Sequence, residues 1–285
     1  MPVEPPVASP RSLREAYALL TAEAHRPLAG GTDLLVLITG EIGEPPGRVL
    51  DLWHLDELRG IRVESNTLVI GALTTYTELR RSPLVAEFLP AFAEAAATIG
   101  AAQIQNRGTI GGNVVNASPA GDMLPLLLAC DVELVVGSSG GERRVAALDF
   151  WPAYRRTALA ANELLLRISV PLAADRHVRY RKVGTRRAQA ISKVVMALAW
   201  RVIASDGHWR DVRVALGSVA ATPTRALQAE AVLEGSVPDE ATADRAASTL
   251  ASELEPIDDV RSSADYRRAV AARVIHRLIR EAAVW

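Results

Sequence analysis

Two glycine clusters about 80 residues apart constrain this chain more than any other feature: Ala29-Gly30-Gly31-Thr32-Asp33-Leu34-Leu35 and Thr109-Ile110-Gly111-Gly112-Asn113. Each joins two adjacent glycines to a hydroxyl and to an Asp or Asn, and each borders apolar residues that could anchor it on a strand. A paired-glycine turn lets backbone N–H groups crowd against an anion with no Cβ in the way. Two such turns brought together predict a grip on the two charges of a dinucleotide pyrophosphate. Gly30, Gly31, Gly111 and Gly112 are expected to present their amides, with the Thr32 and Thr109 hydroxyls as further donors. Asp33 and Asp122 would repel a phosphate, so they are expected on sugar or loop contacts. The sequence holds no G-x-G-x-x-G and no Gly-Lys pair, so neither the Rossmann fingerprint nor a Walker A loop is available. A dinucleotide site here must be built another way.

Composition narrows the function classes. The chain of 285 residues is long enough for two or three small domains. Its formal net charge of −1 gives no bias toward nucleic acid or anionic lipid. The apolar runs Met123–Cys130 and Val194–Trp200 are too short to span a bilayer, and the N-terminus lacks the basic start and apolar stretch of a secretory signal. The single cysteine, Cys130, excludes an internal disulfide and any cysteine-ligated cluster held by this chain alone. The histidines are scattered, so no metal is expected. These features predict a soluble cytoplasmic protein. Only two of the 32 cationic residues are lysine, Lys182 and Lys193, and both fall in one short segment. Either they mark places that need a compact ammonium or their survival is coincidence.

Along the chain, Ser12-Leu13-Arg14-Glu15 predicts a capping box opening a helix with Leu13, Ala16, Tyr17 and Leu20 on one face. The first glycine cluster follows, then strand-like Leu34–Ile38, a loop Gly40–Gly47 and a strand Val49–Leu52. Short strands Ile61–Val63 and Leu68–Ile70 flank Ser65-Asn66, and a helix covers Pro90–Thr98. After the second cluster come a tight turn, Ala117–Asp122, a buried helix over Met123–Cys130, and strands Val132–Val136 and Leu164–Val170. Pro171–Arg176 reads as a linker. Beyond it, Val194–Val202 predicts a half-buried strand that turns at Asp206-Gly207 into a partner bearing Val212, Val214 and Leu216. Three helices, about Thr224–Leu233, Asp239–Leu254 and Ala264–Ala282, complete an α+β arrangement.

The strings AGGTDLL (Ala29–Leu35), TIGGN (Thr109–Asn113), ASPAGD (Ala117–Asp122) and KVGTRRAQAISKV (Lys182–Val194) together resemble the FAD-binding medium subunit of the molybdenum hydroxylases, the xanthine dehydrogenase and carbon monoxide dehydrogenase family. The resemblance runs from about residue 10 to Ser263–Arg268, and the Lys182 segment looks most like bacterial xanthine dehydrogenase subunits. It implies two α+β FAD-binding subdomains, 1–56 and 57–173, followed by a flavoprotein domain, 177–285. It implies that Leu28–Leu35 and Thr109–Asn113 wrap the pyrophosphate and ribityl chain and that Ile99 touches the flavin. Asp122 would hydrogen-bond the cofactor, while Leu165 and Lys182 would sit beside the isoalloxazine ring, Lys182 stabilising charge on the reduced flavin. Arg186 and Arg187 are either an attraction for an anionic acceptor or a solvated surface pair.

The implied role is electron relay from a 2Fe–2S small subunit, itself served by a molybdopterin-binding large subunit, through FAD to NAD⁺ or another acceptor. A stand-alone FAD-dependent oxidoreductase of the same fold is the alternative, as is a carbon monoxide dehydrogenase-like medium subunit within the family. His25 lies upstream of the first turn, so no histidine offers a covalent flavin tether there. A cofactor-free scaffold is a third reading.

Overall fold

The computed structural model describes residues 4–39, 44–186, 189–202 and 207–285. Gly40–Gly43 of the expected loop, Arg187, and Asp206 of the expected turn lie outside them. Three sheets organise the described residues.

The first is small and parallel, with β1 (Val7–Ala8), β2 (Arg26–Leu28) and β3 (Val49–Asp51) in the order β1-β3-β2. Helix α1 (Leu13–Ala22) joins β1 to β2, and α2 (Leu34–Thr39) follows β2. The Ser12 hydroxyl caps α1 by accepting from the Glu15 amide at 3.2 Å. The Glu15 carboxylate reaches back to the Arg11 amide, one residue beyond the usual box. Ala16 and Leu20 then bury against Leu50, Leu52 and Leu55.

The second sheet is antiparallel. It comprises β4 (Ile61–Glu64), β5 (Thr67–Gly71), β6 (Glu133–Ser138), β7 (Gly141–Ala146) and β8 (Leu164–Pro171), ordered β4-β5-β8-β6-β7. Between β5 and β6 the chain forms α3 (Tyr76–Arg81), α4 (Pro83–Phe88), α5 (Pro90–Thr98), α6 (Ala102–Arg107), α7 (Ile110–Asn116) and α8 (Leu124–Ala129). Short α9 (Ala147–Phe150) follows β7. Every residue of α8 is buried, as its unbroken apolar run requires.

The third sheet, β9 (Arg176–Val183), β10 (Val194–Val202), β11 (Trp209–Gly217) and β12 (Thr224–Arg225), is antiparallel in the order β12-β11-β10-β9. Helices α10 (Leu227–Leu233), α11 (Glu240–Glu253) and α12 (Ala264–Ala283) cover one face. The expected half-buried β10 is in fact buried on both faces. Val194, Met196, Leu198 and Trp200 join the core beneath α10–α12, while Val195, Ala197 and Ala199 enter the core that contains α8. A sheet roofed on both sides has no polar face, so its strand reads as a continuous apolar run.

Two further expectations fail. Leu34–Ile38 is helical, not extended: the Gly31 carbonyl accepts from the Leu35 amide at 3.0 Å and Asp33 from Leu37 at 3.2 Å. Periodicity cannot separate strand from helix in so short an apolar run. The stretch expected to start a helix at Thr224 begins instead as an edge strand, β12, paired with Leu216 and Ala215. Among the described residues no helix is long and apolar enough to cross a membrane.

Candidate functional site

The first glycine cluster is anchored on a strand as expected, and the second is not. The first bridges β2 to α2, and the second forms the opening of α7, where the Thr109 side chain caps the Gly112 amide at 3.0 Å. The segment Ala72–Tyr76, which no motif singled out, acts as a rail for that second cluster. Gly111 donates to the Ala72 carbonyl at 2.9 Å, Ile110 to Thr74 at 3.0 Å, and the Tyr76 amide to Gly108 at 3.2 Å. The amides of Gly111 and Gly112 are therefore taken up inside the protein, contrary to expectation. Among the described residues, the amides of Gly30, Gly31 and Thr32 have no such partner.

The reason for glycine also differs by position. A Cβ at Gly111 would sit 2.5 Å from the Ala72 carbonyl oxygen, and one at Gly30 would collide with the carbonyl of Arg107. Both are small because main chain packs on main chain there, which brings the two clusters together. Gly31 is needed for its φ of +76°, in the region L side chains avoid. At Gly112, by contrast, a Cβ would meet only the Thr109 hydroxyl, at 3.0 Å.

The two turns line one cleft, open along one side. Of the residues singled out from the sequence, Leu28, Ala29, Gly30, Gly31, Thr32, Asp33, Leu34, Ile99, Thr109, Gly111, Gly112, Asn113 and Leu165 line it. Asn116 spans the clusters by donating from Nδ2 to Asp33 Oδ1 at 3.2 Å, which gives Asp33 its loop contact. The Asn113 Oδ1 atom is buried and has no partner among the described residues.

Four expected contact residues lie elsewhere. Leu35 is 49 % exposed, on the outer side of α2, and Ile110 is fully buried in the main core. Asp122 and Lys182 form an ion pair outside the lining. Lys182 Nζ donates to Asp122 Oδ2 at 2.6 Å and to the Thr98 carbonyl at 3.1 Å, and its side chain is only 5 % exposed. Burial pushes the Asp122 carboxyl up from the usual range, against the pull of the Lys182 ammonium. Thr98 immediately precedes Ile99 in the wall, so this pair stands directly behind the cleft.

Lining residues that the motifs did not reveal include Tyr76, Leu159 and Glu163. Arg143 grips Glu163 through two hydrogen bonds of 2.7 Å, and these hold its carboxyl below the usual range. Tyr76 carries a signal legible in sequence, since it opens α3 directly after Thr75, whose capping box with Glu78 is complete.

The FAD binding domain of molybdopterin dehydrogenases matches residues 3–173, and the C-terminal domain of carbon monoxide dehydrogenase flavoproteins matches residues 179–282. The chain belongs to the FAD-binding medium subunits of the molybdenum hydroxylases. The glyceraldehyde dehydrogenase medium chain of Sulfolobus acidocaldarius is 33 % identical over 273 residues, spanning 95 % of this chain and 96 % of its own. The carbon monoxide dehydrogenase medium chain of Hydrogenophaga pseudoflava is 34 % identical over 280 residues, covering 96 % and 95 % respectively. The solved carbon monoxide dehydrogenase of Hydrogenophaga pseudoflava superposes with a TM-score of 0.92 at 35 % identity, over 97 % of this chain and 96 % of that one. As a medium subunit of this family, the chain is a flavoprotein component of an oxidoreductase whose cofactor is FAD.

The residues present fit that cofactor. The cleft offers unpartnered amides at Gly30–Thr32 and an orphaned acceptor at Asn113 for polar groups, with apolar wall from Leu34, Ile99, Leu159 and Leu165 for a flat ring system.

Proposed function

We propose that the cleft between the two glycine turns holds FAD and that the chain relays electrons from a 2Fe–2S partner subunit, fed by a molybdopterin-binding subunit, to NAD⁺ or another acceptor in the cytoplasm. The observation that carries this reading is the convergence of Gly31 and Gly112 on one cleft within a chain of the medium-subunit family. The unpartnered amides of Gly30, Gly31 and Thr32 would take the diphosphate oxygens, because aligned N–H dipoles favour an anion without introducing a titrating charge. Thr109 would add its hydroxyl hydrogen while continuing to accept from Gly112. Ile99 and Leu165 would exclude water from the ring. Bound there, FAD supplies the capacity to collect electrons singly and release them as a pair.

The three-part organisation 1–56, 57–173 and 177–285 belongs to the same proposal. Lys182 serves in it as a positioning residue, fixing the Thr98 carbonyl and hence the Ile99 wall, with Asp122 as its counter-charge. Relatives named for glyceraldehyde and for carbon monoxide match 95 % and 96 % of this chain, which supports substrate choice in another subunit. Titrating the purified full chain with FAD tests the cofactor site: one saturable, yellow site per chain is expected, and no binding would sink the reading. Co-expression with candidate molybdopterin and iron–sulfur chains tests the relay through substrate-dependent NAD⁺ reduction, which a stand-alone oxidoreductase would show without them.

A further inference from the structure

We propose that Tyr76 is a further cofactor-binding residue, its hydroxyl donating to the diphosphate–ribityl link of the dinucleotide in the cleft. The inference rests on the FAD reading above and adds a residue that none of the glycine motifs contains. Tyr76 lines the cleft yet is only 3 % exposed, and among the described residues no protein group hydrogen-bonds its hydroxyl. A hydroxyl on the wall of a cleft with no protein partner is free to donate to a bound acceptor. The rest of the side chain is firmly placed. Its amide donates to the Gly108 carbonyl, and the ring edge lies against Gly108, where a Cβ would come within 3.0 Å of it. Gly108 is also where the clusters meet, since Arg107 and Gly108 form the main chain on which Gly30 packs. The charges of both Asp122 and Asp33 act on the phenol, so the hydroxyl stands between the buried ion pair and the first turn.

The chemistry suits a donor. Burial, with smaller contributions from the Asp122 and Asp33 charges, pushes the phenol well above its ordinary range, so it stays protonated at any working pH. A neutral O–H can approach a phosphate oxygen in a region already carrying carboxylates, where a third anion would be repelled.

The test compares the wild-type full chain with Tyr76→Phe, which keeps the ring and removes only the unpartnered oxygen. Binding of FAD and of ADP, which carries the diphosphate without the flavin, is measured by titration, together with the bound-flavin absorption spectrum and the melting temperature of the apoprotein. The expected result is unchanged melting, an unchanged spectrum, and a loss of roughly ten-fold or more for both FAD and ADP, the scale of a hydrogen bond to a charged group. Equal affinities for both proteins overturn the inference. A shifted spectrum with ADP binding intact also overturns it, placing the hydroxyl on the flavin ring. If the wild-type chain binds no FAD, the cofactor reading itself fails, an outcome separate from either result for Tyr76.

Discussion

At the scale of single residues, the glycines of the two clusters do different work that their identical side chains conceal. Gly30 and Gly111 exist to let two pieces of main chain touch, whereas the Cα of Gly112 borders the cleft with little else beside it. Substitution separates the roles. Gly30→Ala drives a methyl group into the Arg107 carbonyl, which only a backbone shift can relieve. Overpacking of this kind costs about 1–3 kcal/mol or more. A loss of several degrees in apoprotein melting temperature is expected, measured by calorimetry. Gly112→Ala asks only for a small movement of the Thr109 side chain and gains helix propensity of up to about 1 kcal/mol. Its apoprotein should melt close to wild type while FAD binds at least several-fold more weakly, because the added Cβ projects toward the ligand. If both variants lose stability equally and FAD affinity is spared, the assignment of Gly112 to the cleft is wrong.

At the scale of elements, the buried pair of Lys182 and Asp122 ties β9 to the end of α5 and to the turn before α8. Removing one partner of a buried pair strands the other charge and costs about 3–5 kcal/mol, whereas replacing both with apolar groups is often neutral. Lys182→Met is therefore expected to lower stability by that amount in urea unfolding, and Lys182→Met with Asp122→Leu to recover most of it. A harmless single variant would show that the pair holds nothing. This bond also marks the limit of what sequence could reveal. A separation of 60 positions in sequence leaves no periodic trace, so Lys182 read as a ring neighbour on motif grounds alone. Local signals fared better. Ser12 and Glu15 started α1, the all-apolar run of α8 declared its burial, and the valines of β11 faced one core as spaced. The signals that misled were short apolar runs: Leu34–Ile38 gave no period to distinguish helix from strand, and β10 showed alternation that was really two buried faces. The convergence of the two glycine clusters was legible because small residues and hydroxyls pointed to a ligand. The rail at Ala72–Tyr76 was not, since its contribution is made by main-chain groups common to every residue.

At the scale of the molecule, the regions matched by the two family domains are not independent bodies. Tyr180, Val195, Ala197, Ala199 and Ala215 come from the third sheet, yet they belong to the same buried cluster as Phe92, Ile110 and Leu127. Polar bonds follow the same path: the Ser218 amide donates to the Pro119 carbonyl at 2.8 Å, and the Ser192 hydroxyl donates to Ala120 and pairs with Ser218. A chain ending at residue 173 would lose β9–β11 and uncover the face of α8 that packs on them. Fully burying one Leu-sized side chain is worth about 1.5–3 kcal/mol, so exposing several consumes much of the 5–15 kcal/mol that an ordinary domain has in reserve. The full chain should therefore unfold in one cooperative transition seen alike by far-ultraviolet circular dichroism and tryptophan fluorescence. The fragment 1–173 should lack such a transition, bind hydrophobic dyes and retain no FAD. Adding the fragment 174–285 in trans should restore some binding if the shared core is the cause. A fragment 1–173 that melts cooperatively and binds FAD like the whole chain would show instead that the cleft stands on its own domain, with the third sheet merely resting against it.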